Sequence, residues 1–120
     1  MAKSIADAVL DAASDKIATA VKQTVCSGEP ANFAGIAAVK LADVTVDSGD
    51  FTKANGDTSG RKVTVGQQAS VPITASGTAT HIAYDDGSLL LAVTTCTSQA
   101  LTSGGTVTVP AHKFEFADPT

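Results

Sequence analysis

The side chains that could carry out chemistry are few, and they are scattered along the chain. The two histidines, His81 and His112, are far apart in sequence, and neither belongs to a zinc-binding motif. We expect His81 to be a packed or interface residue and His112 to be exposed. The two cysteines, Cys26 and Cys96, fit no metal-binding or redox spacing. Catalysis needs several titratable groups that converge on one point, or a bound metal. We therefore expect a protein that is not an enzyme and that has no catalytic residues, cofactor or metal.

A group of acidic residues in the middle of the chain resembles part of a calcium-binding loop. An EF-hand places oxygen ligands at alternate positions before a glycine. Counted from Asp47, the alternate positions hold Gly49 and Phe51, so the pattern fails. Aspartate, asparagine and glycine between strands usually form turns. We expect Asp50 and Asp57 to lie in such turns.

Two further kinds of site can be weighed from short motifs. The chain contains neither the G-x-S-x-G motif of serine hydrolases nor the phosphate-binding G-x-x-x-x-G-K-S/T motif. A glycan-binding surface stays open as an alternative, since the strands are rich in threonine. Sugar sites usually stack an aromatic ring on the sugar. The candidates for such a ring are Tyr84, Phe33, Phe51, Phe114 and Phe116, of which the last two share a strand face and are predicted to be core residues.

Charge and hydropathy disfavour two classes of partner. The net charge is −4, and the eight basic residues are scattered, with Arg61 and Lys62 as an adjacent pair. Nucleic-acid binding requires a basic stripe that neutralises phosphates, so we expect neither nucleic acid nor a membrane surface as a partner. The sequence shows no export signal or membrane-spanning segment, which predicts synthesis and folding in a cytoplasm. In that reducing compartment we expect Cys26 and Cys96 to be buried free thiols, with a disulfide as the alternative.

The clearest helical pattern lies at the start of the chain, over residues 4–22. Ser4 can cap it, with Asp7 three positions later. Asp7, Asp11 and Asp15 form an acidic face, which is either solvated or a docking face for a basic partner. Apolar residues recur every four positions on another face. We predict that this apolar stripe lies in a contact with another subunit or with a partner protein: Ile5, Val9, Ala13, Ile17 and Val21.

The rest of the chain, 23–120, alternates short strands with turns. Residues 31–42 are ambiguous between a short helix at 31–36 and a loop followed by a strand at 37–41. The strongest hairpin signal is Asp85-Asp86-Gly87 between two strand patterns. Strand patterns occupy 23–26, 44–46, 61–65, 71–75, 78–84, 88–97 and 114–117. Leu101, Val107 and Val109 mark another strand around the turn at 103–105. We predict one domain over 1–120, mainly β (α+β by content): an antiparallel β-sandwich or small barrel with one N-terminal amphipathic helix.

Three stretches of the sequence resemble small virion proteins of tailed bacteriophages. They are the opening MAKSIADAVLDAA, the middle DTSGRKVTV and the closing FEFADP. The resemblance implies a structural role in the particle, and within the family we favour head decoration (cement). Such proteins bind the outer shell after it expands and stabilise the head, usually as trimers.

The resemblance also implies partners and a location. The expected partner is the major capsid protein, and the expected location is the capsid surface of a virion assembled in the host cytoplasm. Hydrophobic residues make up 43% of the chain but aromatic residues only 4%, so the core is thin and self-association would add burial. We therefore expect a homo-oligomer, and the resemblance implies that it is a trimer. The alternatives are a tail-associated virion protein (tail tube, tail tip or fibre component) and a host-glycan-binding module.

Overall fold

The computed structural model describes residues 5–57 and 59–116. The predicted cap at Ser4 and the predicted strand end at Ala117 to Pro119 lie outside these residues. The elements in chain order are α1 (Asp7–Ile17), β1 (Lys22–Cys26), a 3-10 turn (Phe33–Gly35), α2 (Ile36–Val39), β2 (Lys40–Thr45), a 3-10 turn (Ser48–Asp50), β3 (Phe51–Asn55), β4 (Arg61–Val65), β5 (Gln68–Pro72), β6 (Gly77–Asp85), β7 (Leu90–Leu101), β8 (Thr106–Val109) and β9 (His112–Phe116).

The predicted fold class is confirmed, since the protein is mainly β with a short N-terminal helix. Strands make up 51% and helices 19% of it. The strands form antiparallel sheets: a first sheet in the order β2-β1-β6-β7, a second in the order β3-β4-β9, and the pair β5-β8. The core lies between these layers, where Val65, Val71, Ile82 and Leu101 are buried.

The helix is shorter than its sequence pattern predicts, so the boundary of 4–22 is wrong at its carboxyl end. The helix ends at Ile17, and the Thr19 hydroxyl donates to the carbonyl of Lys16 at 2.6 Å. Val21 is already extended, because its N–H donates to the Asp85 carbonyl and its carbonyl accepts from Val46 N–H. Pairing with the sheet on both sides outweighs the helical periodicity of this segment.

Both open readings of residues 31–42 are partly right. The chain forms the 3-10 turn and α2 over Phe33–Val39, and β2 then starts at Lys40 rather than at residue 37. Strand β7 is longer than the predicted 88–97 and runs to Leu101. The hairpin turn between β6 and β7 is confirmed, with Gly87 at a φ of +96°, a conformation that glycine adopts readily.

A bulge in β6 changes which of its side chains reach the core. The register with β7 shifts between Ala79 and His81. Regular alternation predicts Thr80 beside Ile82 and Tyr84 on one face, but Ala79 is the residue that joins them in the core. The extra residue of a bulge moves the preceding side chains to the opposite face.

Helix α1 lies against the second sheet through one buried face and two ion pairs. Leu10, Ser14 and Ile17 are its buried residues. On the neighbouring acidic face, Asp11 accepts from Arg61 Nε at 2.9 Å, and Asp15 accepts from Lys53 Nζ at 2.7 Å. The acidic face is therefore engaged by the protein's own basic side chains on β3 and β4.

Candidate interaction surface

The predicted apolar stripe divides into an exposed part and a buried part. Val9 is 62% exposed and Ala13 is also exposed on α1, whereas Ile17 is buried against the body. Ile5 and Val21 are exposed but lie outside the helix, one before its start and the other in the extended segment before β1. The structure therefore does not bring the five residues onto one helix face. Val9 and Ala13 are the two residues of the stripe that are exposed on α1.

A second exposed apolar region surrounds a cleft beside β1. The cleft has a volume of about 380 Å³ and is lined by Val21, Thr24, Phe33, Ile36 and Asp85, among others. Phe33 is 39% exposed at its rim. The short α2 segment creates this cleft, because it covers only part of the outer face of the first sheet. We call it the β1 cleft.

Polar groups in and around the β1 cleft give it a distinct chemistry. Lys40 donates to Asp43 at 3.0 Å, and Lys22 lies 3.7 Å from the same carboxylate. Thr24 is fully buried, and no described residue bonds its hydroxyl. Asp85 is also buried, and its carboxylate accepts from Gly87 N–H at 3.0 Å. The cleft therefore combines apolar walls with a few polar groups, as small binding sites do.

Comparison of the chain with family models, curated proteins and solved structures found no match.

The histidines have structural surroundings, and one sequence expectation about them is wrong. His112, expected to be exposed, is half-buried at the start of β9. Its Nε2 lies 2.5 Å from the hydroxyl of the buried Tyr84, and the oxygen of that hydroxyl accepts from Gln23 Nε2 at 2.6 Å. Burial is the main cause that raises the pKa of Tyr84 above its usual value, so this phenol stays protonated. His81 is half-buried, and its Nδ1 lies 2.8 Å from the Thr80 hydroxyl.

The aromatic residues that could have stacked on a sugar are mostly packed inside. Phe51 and Phe114 lie edge-on to Tyr84, with ring centroids 6.0 and 5.7 Å away. This arrangement confirms Phe114 as part of the core, while Phe116 is half-buried. Phe33 is the aromatic side chain that reaches the surface at the β1 cleft.

The two cysteines are free thiols in different surroundings. Cys26 is fully buried on β1, where desolvation raises its pKa to about 11. Cys96 on β7 is only half-buried, and burial raises its pKa as well. The expectation of free thiols is confirmed, and the expectation that both are fully buried is wrong for Cys96.

The central aspartates lie in turns, as the sequence predicts. Asp47 and Asp50 form a reciprocal capping box around the 3-10 turn Ser48–Asp50. Asp57 pairs with Lys62 at 2.7 Å and also contacts Lys113. Over 5–57 and 59–116, no group of three His, Cys, Asp or Glu side chains could hold a metal ion. Among the described helices, none is long and apolar enough to cross a membrane.

Sequence reasoning missed the β1 cleft and the polar network of Tyr84. The signal for the cleft was present in the apolar segment 31–42, which has one aromatic residue between small ones. Periodicity could not show that this segment would fold into a single helical turn. The Gln23–Tyr84–His112 network joins residues from β1, β6 and β9, and no local pattern predicts such pairings.

Proposed function

We propose that this chain is a non-enzymatic structural protein of a tailed bacteriophage virion, a capsid decoration (cement) protein. In this role it binds the major capsid protein on the outer shell, as a homo-oligomer, and stabilises the head. The proposal starts from the resemblance of its sequence to small virion proteins of tailed phages.

The observation that carries the proposal is the set of large apolar side chains left exposed on so small a body. Val9 is 62% and Leu89 51% exposed, and Val21, Phe33 and Ile5 are between 38% and 46% exposed. Val21 and Phe33 lie together at the β1 cleft, and exposed apolar groups that share one surface mark sites of protein contact. They suit a protein whose work is to lie against another protein.

The surroundings of the titratable side chains support a structural role. Asp11 and Asp15 hold α1 against the second sheet, and Asp57 joins β4 to β9 through Lys62 and Lys113. His112 is bonded to a buried phenol. These groups stabilise the fold in the positions where they lie.

The location is tested by electron microscopy of purified particles with gold-labelled antibody against the chain. Label distributed over the heads is the expected result. Label confined to the tail or its tip contradicts head decoration and favours tail attachment or host-surface binding. Particles without label contradict a virion role altogether.

The contact surface is tested with Val9→Asp and with Ala8→Asp as its matched control. Both positions are exposed on α1, both variants add the same charge, and adjacent residues of a helix point in different directions. We expect Val9→Asp to abolish co-sedimentation with expanded heads, because a carboxylate cannot be buried in an apolar contact. Ala8→Asp should still bind. Equal binding by Val9→Asp and the wild type shows that Val9 lies outside the contact.

A further inference from the structure

The long strand β7 has one edge without a ladder partner among the described residues, and α1 packs near part of the strand. It is the end strand of the first sheet, and among the described residues its ladder partner is β6. It has 12 residues, LLAVTTCTSQAL, without a charged residue or a proline. Open edges are sites where another strand can add, and proteins usually protect them with charges, prolines, short length or a cover.

The other described edges carry such protection. The outer edge of β2 is covered, because the N–H groups of Thr74 and Ala75 donate to the carbonyl of Leu41. Edge strand β3 carries Lys53, and edge strand β9 carries charged residues as well. Strands β5 and β8 have only five and four residues, and β5 ends in a proline. Among these edges β7 alone is both long and uncharged.

The second half of β7 is exposed on both faces. Consecutive residues Thr97, Ser98, Gln99 and Ala100 are all exposed, although neighbouring side chains of a strand point to opposite faces. Strand β8 pairs with β5 and not with β7, and a cavity of about 150 Å³ separates Cys96, Thr97 and Gln99 of β7 from Val107 and Val109 of β8. A pair of strands alone is only marginally stable in water. A third strand added beside β7 would therefore stabilise the end of the β6–β7 pair.

We propose that β7 pairs antiparallel with β7 of a second copy of this chain, across a two-fold axis, and joins the two first sheets into one. In an antiparallel pair across a two-fold axis, the residues nearest the axis lie opposite their own copies, so a charge there would meet a like charge. The uncharged sequence of β7 avoids this repulsion. The threonines in the middle of β7 also form favourable cross-strand pairs with one another.

This inference does not rest on the proposed function. It concerns the purified chain, and it names a dimer contact, whereas the resemblance favours a trimer. A trimer would have to use a different surface. The two ideas can therefore fail separately: head labelling tests one, and the mass of the isolated protein tests the other.

The mass is measured by light scattering across a dilution series, for the wild type and two double variants. Thr95→Lys with Thr97→Lys places like charges at the two-fold contact. Thr52→Lys with Thr106→Lys is the matched control, since both threonines are exposed on other strands. We expect the wild type and the control to have twice the 12.0 kDa chain mass at high concentration. The variant Thr95→Lys with Thr97→Lys should have the mass of a single chain.

A second measurement needs no variant and so does not depend on folding of the mutants. Hydrogen exchange of the wild type should show amides of 90–101 that are protected at high concentration and exchange faster on dilution. A monomer at every concentration, a trimer, or a dimer that persists in Thr95→Lys with Thr97→Lys overturns the proposal. So does exchange in 90–101 that is independent of concentration.

Discussion

At the scale of residues, one phenol side chain, that of Tyr84, joins the two sheets at the centre of the molecule. Tyr84 is fully buried, and its hydroxyl joins Gln23 on the same sheet to His112 on the second sheet. The His112 ring also lies 3.1 Å, through Nδ1, from the Pro110 carbonyl. A proton on Nδ1 donates to that carbonyl and leaves Nε2 to accept from the phenol. Every bond of the network then has one donor and one acceptor.

We expect Tyr84→Phe to lower the free energy of unfolding by about 1–3 kcal/mol, because the buried Gln23 amide loses its partner. Urea denaturation measures this change. Thr45→Val, which removes an exposed strand hydroxyl, should stay within about 0.5 kcal/mol of the wild type. Equal stability of Tyr84→Phe and the wild type means that the network contributes nothing to folding.

The two thiols should react with a chromogenic disulfide reagent at very different rates. Cys96 should react in the native protein. Cys26 should react only after the protein unfolds, because its thiol is buried and its pKa is raised to about 11. The raised pKa also means that neutral Cys26 supports folding below pH 9, and that this support is lost as the pH rises toward 11. Cys26→Ser and Cys96→Ser assign the two phases, and a fast phase that survives in Cys96→Ser contradicts the assignment.

At the scale of elements, the sequence predicted whether a segment is a helix or a strand better than it predicted where each element begins and ends. Alternation identified the β6–β7 hairpin, because the turn residue Gly87 lies between two segments that both have the alternating pattern of a strand. It failed at the end of α1, where Val21 keeps the helical period but pairs with β6 and β2. It also failed at Thr80, where a bulge reverses the faces. In both places a contact distant in sequence determined the outcome.

The docking of α1 should depend on salt and on its carboxylates. The Asp11 hydrogen bond raises the pKa of Arg61, and the Asp15 hydrogen bond raises the pKa of Lys53. We expect Asp11→Asn with Asp15→Asn to accelerate hydrogen exchange in α1 while the sheets stay protected. High salt should accelerate it in the wild type too. Glu29→Gln, at an exposed loop position, is the control, and equal α1 exchange in all three proteins contradicts the prediction.

At the scale of the whole molecule, the protein is elongated. Its principal extents are 54 × 26 × 25 Å, and its radius of gyration is 15.1 Å. A compact domain of this length has a radius of about 13.6 Å. Composition predicted a thin core, and the fully buried side chains are indeed mostly small or medium in size, with Tyr84 the largest. The elongation follows from sheet packing, which no local sequence pattern encodes.

Small-angle X-ray scattering of Thr95→Lys with Thr97→Lys should therefore give a radius of gyration above the compact value. This variant is chosen because we expect it to be a monomer. A radius at or below the compact value contradicts the elongated shape. The wild type at high concentration should give a larger radius still, since two copies joined at β7 extend the first sheet.

The position of Tyr84 has a consequence for the internal motion of the protein. Its ring is enclosed by Phe51, Phe114 and His112, and its hydroxyl is bonded on both sides. The ring can turn over only when β6 moves away from β3 and β9, so ring flips should be slow enough to give separate proton signals for its two edges. The rate at which the signals of the two ring edges exchange, measured by nuclear magnetic resonance, then reports how often the two sheets separate.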